Sequence, residues 1–250
     1  ILKLVREMQA RKKTGVLFIT HDFGVVSEIA DRVVVMQLGR IVEQGAAEEV
    51  LRNPREEYTR MLLASVPSMT PPKRVPVSGP VVLQTEKLFK TYGKRTLFQP
   101  KARIVNAVKD VSLEVRRGET LGIVGESGSG KTTLGLAILR LIRSEGRIVV
   151  LGRDLTNRSW REIRPLRRDM QVVFQDPYGS LSPRMTVADI VAEGLDVHEP
   201  QLDRRARDQR AVAALTEVGI DPATRFRYPH EFSGCQRQRI AVARAMVLKP

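Results

Sequence analysis

The nine residues GESGSGKTT at positions 125–133 fit the pattern G-x-x-x-x-G-K-S/T, a loop whose backbone N–H groups surround a chain of phosphates. Each residue type has a reason. Gly125, Gly128 and Gly130 let the backbone turn and approach the phosphates closely, while Glu126, Ser127 and Ser129 fill the positions between them. Lys131 supplies a point charge, Thr132 a hard oxygen for Mg²⁺, and Thr133 continues the first turn of a helix whose dipole is positive at this end. A glycine-rich turn before an ordinary helix is the competing reading, and the flanks decide against it. Residues 120–124 (TLGIV) are short and apolar like a buried parallel strand, and Leu134, Ile138, Leu141 and Ile142 recur at helical spacing behind the loop.

Composition bounds the rest. With 42% hydrophobic and 28% charged residues, 250 residues are enough for one large core or two smaller ones. No apolar run reaches the length of a membrane span, and the N-terminus carries no secretory pattern. One cysteine excludes an internal disulfide framework. The net charge of +14 concentrates at 161–168 (REIRPLRR) and 204–210 (RRARDQR), without the interleaved aromatics of a single-strand-binding surface. These runs read as solvated helix faces, with attraction to an anionic membrane or to nucleic acid as competing readings.

Taken in order, the chain opens on an amphipathic helix lined by Ile1, Leu4, Val5 and Met8 and ended by Gly15, which looks like a start in mid-domain. Residues 16–20 (VLFIT) read as a buried strand delivering His21 at its C-terminal end, where open α/β sheets put ligand-contacting groups. A helix over 24–30 follows, then strands 32–37 and 40–43 across a Leu38, Gly39 turn, then short helices over 46–52 and 56–64. Residues 67–80 hold five prolines and predict an extended linker at a domain boundary. Beyond it, 81–92 and 104–115 alternate like antiparallel strands around a basic insertion at 93–103. After the phosphate loop come a strand at 147–151, a basic helix at 160–167, a buried strand at 170–174 (MQVVF) leading to Gln175, and a loop at 176–183. From Thr186 the pattern is helical, and 240–248 predicts a well-buried helix.

Several stretches together resemble the ATP-binding subunits of ABC transporters: GESGSGKTT, then VVFQDPYGSLSPRMTV at 172–187, then FSGCQRQRIAVARA at 232–245, with FITHD at 18–22 similar to the family's switch-histidine segment. NPREEYTRMLLASVP at 53–67, VVFQDP and YPHEFSG resemble the peptide-importer branch, and the nearest likeness is a tandem subunit with two ATPase domains of the oligopeptide and microcin C type. The implied fold is α/β, a P-loop NTPase with a mixed sheet core, an antiparallel β subdomain and a helical subdomain. In a complete domain of this family the histidine follows the phosphate loop, whereas here it precedes it. A tandem explains that order: 1–66 as the end of a first domain, 67–80 as linker, and 81–250 as the start of a second whose acidic strand and catalytic carboxylate would follow residue 250. The chain would then be an internal fragment, inactive alone.

The resemblance implies roles residue by residue. The loop residues 125–133 bind ATP, with Thr132 and Gln175 on Mg²⁺. Gln175 also senses the attacking water and faces the membrane partner, against an ordinary loop glutamine. Tyr92 stacks on adenine, unless it packs in its sheet. His21 bonds the γ-phosphate at transfer, against a satisfied histidine at a sheet edge. Ser233, Gly234 and Gln236 match the signature that presses a helix N-terminus on the γ-phosphate held by the other domain, against a serine N-cap before a core helix. Cys235 stands where the family has a second glycine, which predicts slow turnover at the site using this signature, or else marks a sequence-level error. The implied partners are two permease subunits and an extracytoplasmic peptide-binding protein, with the two ATPase domains paired at the cytoplasmic face of the inner membrane. A non-hydrolysing nucleotide-binding module and a soluble ABC ATPase of nucleic acid or ribosome are the rival classes. The second predicts a long arm, for which 176–232 is too short, so no nucleic acid is expected.

Overall fold

The computed structural model describes residues 2–20, 22–68, 70, 73–93 and 104–250. The chain divides into two units, residues 1–75 and 76–250.

In the first unit, α1 (Leu2–Lys12) and α2 (Phe23–Ile29) precede a hairpin of β1 (Arg32–Gln37) and β2 (Arg40–Ala46). Leu38 and Gly39 both have positive φ, as a two-residue turn matched to the twist of a hairpin requires, and a bulge at Val35 and Met36 shifts the register. Then come α3 (Ala47–Arg52) and α4 (Glu57–Ala64). Val33, Val35 and Val50 form a small core over which Val26, Val42, Tyr58 and Leu62 pack.

The second unit begins with β3 (Val81–Tyr92) and β4 (Val105–Arg116), followed by α5 (Lys131–Ile138), β5 (Glu145–Val150) and β6 (Arg153–Asp154). The sheet order is β4-β3-β5-β6, antiparallel throughout. Its apolar face receives α5: Leu88, Val108 and Ile148 from the strands meet Leu134, Ala137 and Ile138 from the helix. Next, α6 (Trp160–Ile163) gives way to a 3-10 turn, Arg164–Arg168, because Pro165 cannot donate in a continuing α-helix. The sequence predicts one helix over 160–167; the structure has one turn of each kind. A single turn, α7 (Pro177–Ser180), occupies the expected loop.

A separate core is built by α8 (Val187–His198), α9 (Arg204–Glu217) and α10 (Gly234–Met246), with Ile190, Leu195, Leu215, Ile240 and Leu248 fully enclosed. Capping boxes start α8 at Thr186 and Asp189 and α10 at Ser233 and Gln236, so the sequence itself sets both helix origins. No helix among the described residues is long and apolar enough to cross a membrane.

Three expectations are corrected. Residues 16–20, 120–124 and 170–174 carry the pattern of buried parallel strands, yet none is a strand. Leu17, Ile19 and Val124 are 89%, 88% and 92% exposed. The reason is pairing: a parallel strand is held by neighbours that arrive through crossovers, and no described strand pairs with these runs. The basic insertion at 93–103 lies, apart from Gly93, outside the described residues.

Candidate functional site

The phosphate loop follows β4 in the chain. After a turn at 117–118 the chain runs without regular structure to Glu126, turns at 127–128, and enters α5 through Gly130. Gly130 has φ 95°, and a Cβ there would lie 2.1 Å from the carbonyl oxygen of Ala107 on β4. Only glycine lets the loop lie on that strand. Gly128 also has a left-handed φ of 82°, and a Cβ there would meet nothing within 4 Å, so the loop is open on that side.

Lys131 spans the loop. Its ammonium donates to the carbonyls of Gly125 and Glu126, both at 2.7 Å, and to Ser129 Oγ at 3.2 Å. These are neutral acceptors, and a phosphate oxygen beside them would be the stronger partner for an ammonium. The donor set therefore fits a polyphosphate: an ammonium, the positive end of an eight-residue helix, and the exposed hydroxyl of Thr132 as a hard oxygen for Mg²⁺.

The strands place Tyr92 nearby. Tyr92 pairs with Val105 and Lys90 with Val108, so Tyr92 stands two residues along the ladder from Ala107, the residue beneath Gly130. Tyr92 is 43% exposed, with the Lys90 ammonium 4.8 Å from the centre of its ring.

The turn α7, which follows Gln175, packs on α10, the helix that the signature residues begin. Gln175 is exposed and precedes Asp176, whose carboxylate caps α7 by accepting from Tyr178 N at 2.9 Å. The Arg237 guanidinium lies 3.8 Å over the Tyr178 ring, and Arg244 donates to the Ser180 carbonyl at 2.6 Å. The Gln175 loop is thus seated on the helix whose first turn holds Ser233, Gly234 and Gln236. Ser233 and Gln236 cap each other, Ser233 N donating to Gln236 Oε1 at 2.9 Å and Gln236 N to Ser233 Oγ at 3.3 Å. The N-cap geometry weighed in the sequence is present, and the cap turn, Cys235 included, is exposed.

His21 lies outside the described residues. Next to it, Asp22 caps α2 by accepting from Gly24 N at 2.8 Å and Val25 N at 3.3 Å.

Sequence reasoning missed the arginines between the loop and the helical core. Arg167, read as part of a solvated face, donates to the carbonyls of Leu139 and Arg140 at 3.3 and 3.4 Å, capping the far end of α5, and stacks 4.4 Å from the Trp160 ring. Burial pushes its pKa down. His198 is likewise lowered, first by burial and then by Arg164 and Arg168. The only signal available was a proline beside a leucine inside the basic run, which breaks the periodicity of a purely solvated helix.

Comparison with known proteins gives the family and the fold. The family model described as ABC transporter matches residues 108–250, more than half the chain, and one for the C-terminal region of oligopeptide/dipeptide transporters matches 42–95. The peptidoglycan transport ATP-binding protein YejF of Agrobacterium fabrum is 53% identical over 251 residues, covering 100% of this chain and 46% of that protein. A glutathione import ATP-binding protein, GsiA of Escherichia coli, is 44% identical, covering 100% and 44%. The chain thus spans about half the length of the curated relatives it matches. Among solved structures, the dimeric ATP-binding cassette MJ0796 with bound ADP and phosphate superposes with a TM-score of 0.60 at 29% identity, over 67% of this chain and 70% of that one. The fold is that of the ABC-type P-loop ATPases, and the chain belongs to the ABC transporter family.

Proposed function

We propose that the chain is the middle of a subunit carrying two ATPase domains in tandem, and that this subunit hydrolyses ATP to drive import of peptides or peptide-like solutes. The observation that carries the reading is the loop 125–133, a glycine cradle with an ammonium across it at the head of α5. Residues 1–66 would close the first domain, 67–80 link the two, and 81–250 open the second. The match to a transporter C-terminal region upstream of the ABC match supports that order. So do the three apolar runs without strand partners, which strands elsewhere in such a subunit would pair. The relatives' names, peptidoglycan transport and glutathione import, support a peptide-like solute.

Magnesium-bound ATP brings the scissile phosphate and a neutralising cation; the chain supplies position and charge. Lys131 would exchange the carbonyls of Gly125 and Glu126 for phosphate oxygens, Thr132 would hold the metal, and Tyr92 would stack on adenine. Gln175 would join the metal and orient water while facing the permease. Ser233, Gly234 and Gln236 would reach the γ-phosphate held by the paired domain, and His21 would serve the first domain's site. Two permease subunits and an extracytoplasmic binding protein complete the assembly, with this subunit at the cytoplasmic face of the inner membrane.

Lys131→Ala tests the reading. Loss of a charge-assisted contact worth about 1.5–3 kcal/mol lowers affinity for labelled MgATP roughly 10- to 150-fold in the full-length protein. Equal retention by parent and variant would end it. Cys235 adds a side chain at the exposed turn that must approach phosphate, so the composite site using it turns over slowly. Cys235→Gly raises full-length ATP turnover; an unchanged rate removes that proposal alone.

A further inference from the structure

Two neighbouring arginines hold different parts of the second unit. Arg167 caps the C-terminal end of α5, donating to Leu139 and Arg140 carbonyls, and its own carbonyl accepts from Gln171 Nε2 at 2.6 Å. Arg168 instead places Nη2 3.2 Å from Glu199 Oε1. Glu199 ends α8 with its side chain only 9% exposed, and its other oxygen is 3.5 Å from Arg210 Nη1 on α9. Arg210 in turn donates through Nη2 to the Val247 carbonyl, the C-cap of α10, at 2.5 Å. The contacts run unbroken from the end of the phosphate-loop helix to the end of the signature helix.

We propose that Arg167, Arg168, Glu199 and Arg210 are positioning residues that relay loading of the phosphate loop to the signature turn of the same domain. The relay rests on the reading that the loop binds nucleotide. Its parts are stiff. α5 is eight residues long, with the loop at one end and Arg167 at the other, so a shift at Lys131 is felt at Leu139. Arg167 and Arg168 share a peptide bond and cannot move apart. Glu199 is nearly enclosed, and separating it from its arginines would strand a charge away from water, so the three groups move together. α10 then carries the displacement along 13 residues, about 20 Å, to Ser233. Coupling between the loop and the signature turn is a free energy linking two sites, and it is read as one.

Hydrogen exchange read by mass spectrometry, on the full-length protein with and without MgADP, measures it. ADP fills the loop but lacks the terminal phosphate that a paired domain's signature would clasp, so a response at the signature reports the relay within one domain. In the parent, exchange slows at 125–133 and at 232–239. Glu199→Gln keeps the shape and removes the charge; it retains the slowing at 125–133 and loses at least threefold of that at 232–239. Arg168→Lys keeps more than half of the signature response, and Arg168→Ala, at a side chain about half exposed and so tolerant of truncation, does not. Undiminished slowing at 232–239 in Glu199→Gln and Arg168→Ala overturns the relay and leaves nucleotide binding standing. Absence of slowing at 125–133 in the parent overturns nucleotide binding, and the relay falls with it.

Discussion

Within residues 76–250, the sheet β4-β3-β5-β6, whose strands mix apolar with polar residues, and the more continuously apolar runs 120–124 and 170–174 meet different fates. Leu88 on β3 and Ile148 on β5 are fully enclosed, while Val124 is 92% exposed. Hydrophobicity does not separate them; partners do. β3 has an antiparallel neighbour on each side within the described chain, held by direct ladders. A parallel strand depends on neighbours that return through crossovers, and without them its backbone groups face water. A strand is therefore a property of a pair, and an apolar run supplies only half of it. The first unit repeats the contrast, with the hairpin β1 and β2 formed and 16–19 left exposed.

Deleting apolar atoms in each region tests that contrast. Leu88→Ala opens a cavity in a closed core and costs about 2–5 kcal/mol in urea unfolding of the 250-residue chain. Val124→Ala removes atoms already in water and stays within about 0.5 kcal/mol in the same chain. In the full-length protein, where proposed partner strands enclose Val124, the same change rises to about 1.5–3 kcal/mol. Equal costs for Leu88→Ala and Val124→Ala in the 250-residue chain would break the comparison. No increase for Val124→Ala in the full-length protein would show that its strands do not reach that run.

What the sequence revealed follows the same division. The alternation over 81–92 and 104–115 located β3 and β4 to within a residue, because antiparallel pairing with one apolar face prints a period of two. The Leu38, Gly39 turn and the caps at Thr186 and Ser233 were legible because their chemistry is local. The loop 125–133 was legible for that reason too. Strand formation at 120–124 was not, since pairing depends on residues distant in the chain. Nor were the contacts of Arg167 with Leu139 and of Arg168 with Glu199, which join residues about thirty apart in sequence and leave no periodic trace.

A smaller effect distinguishes the regions by acid. The formed sheet and its flank carry carboxylates held by neighbours a few residues away, whereas 120–124 and 170–174 contain none. Glu162 accepts from Ser159 Oγ at 2.7 Å, Ser159 N at 2.8 Å and Arg158 Nη1 at 2.9 Å, and these bonds, the Ser159 hydroxyl first, bring its pKa from 4.5 to about 2. Asp154 is also held at about 2, down from 3.8, chiefly by Thr156 and then by Arg147. Both folded values lie below the ordinary ones, so the ionised forms favour the folded state. Their contribution is complete above about pH 5, declines below pH 4.5 and is gone once pH falls through about 2. Glu162→Gln is therefore less stable than the parent in urea unfolding at pH 7, and the two curves converge as pH approaches 2. Because the carboxylate is well exposed, the difference at pH 7 is small, and a gap that persists unchanged to pH 2 would mean that Glu162 acts by shape and not by charge.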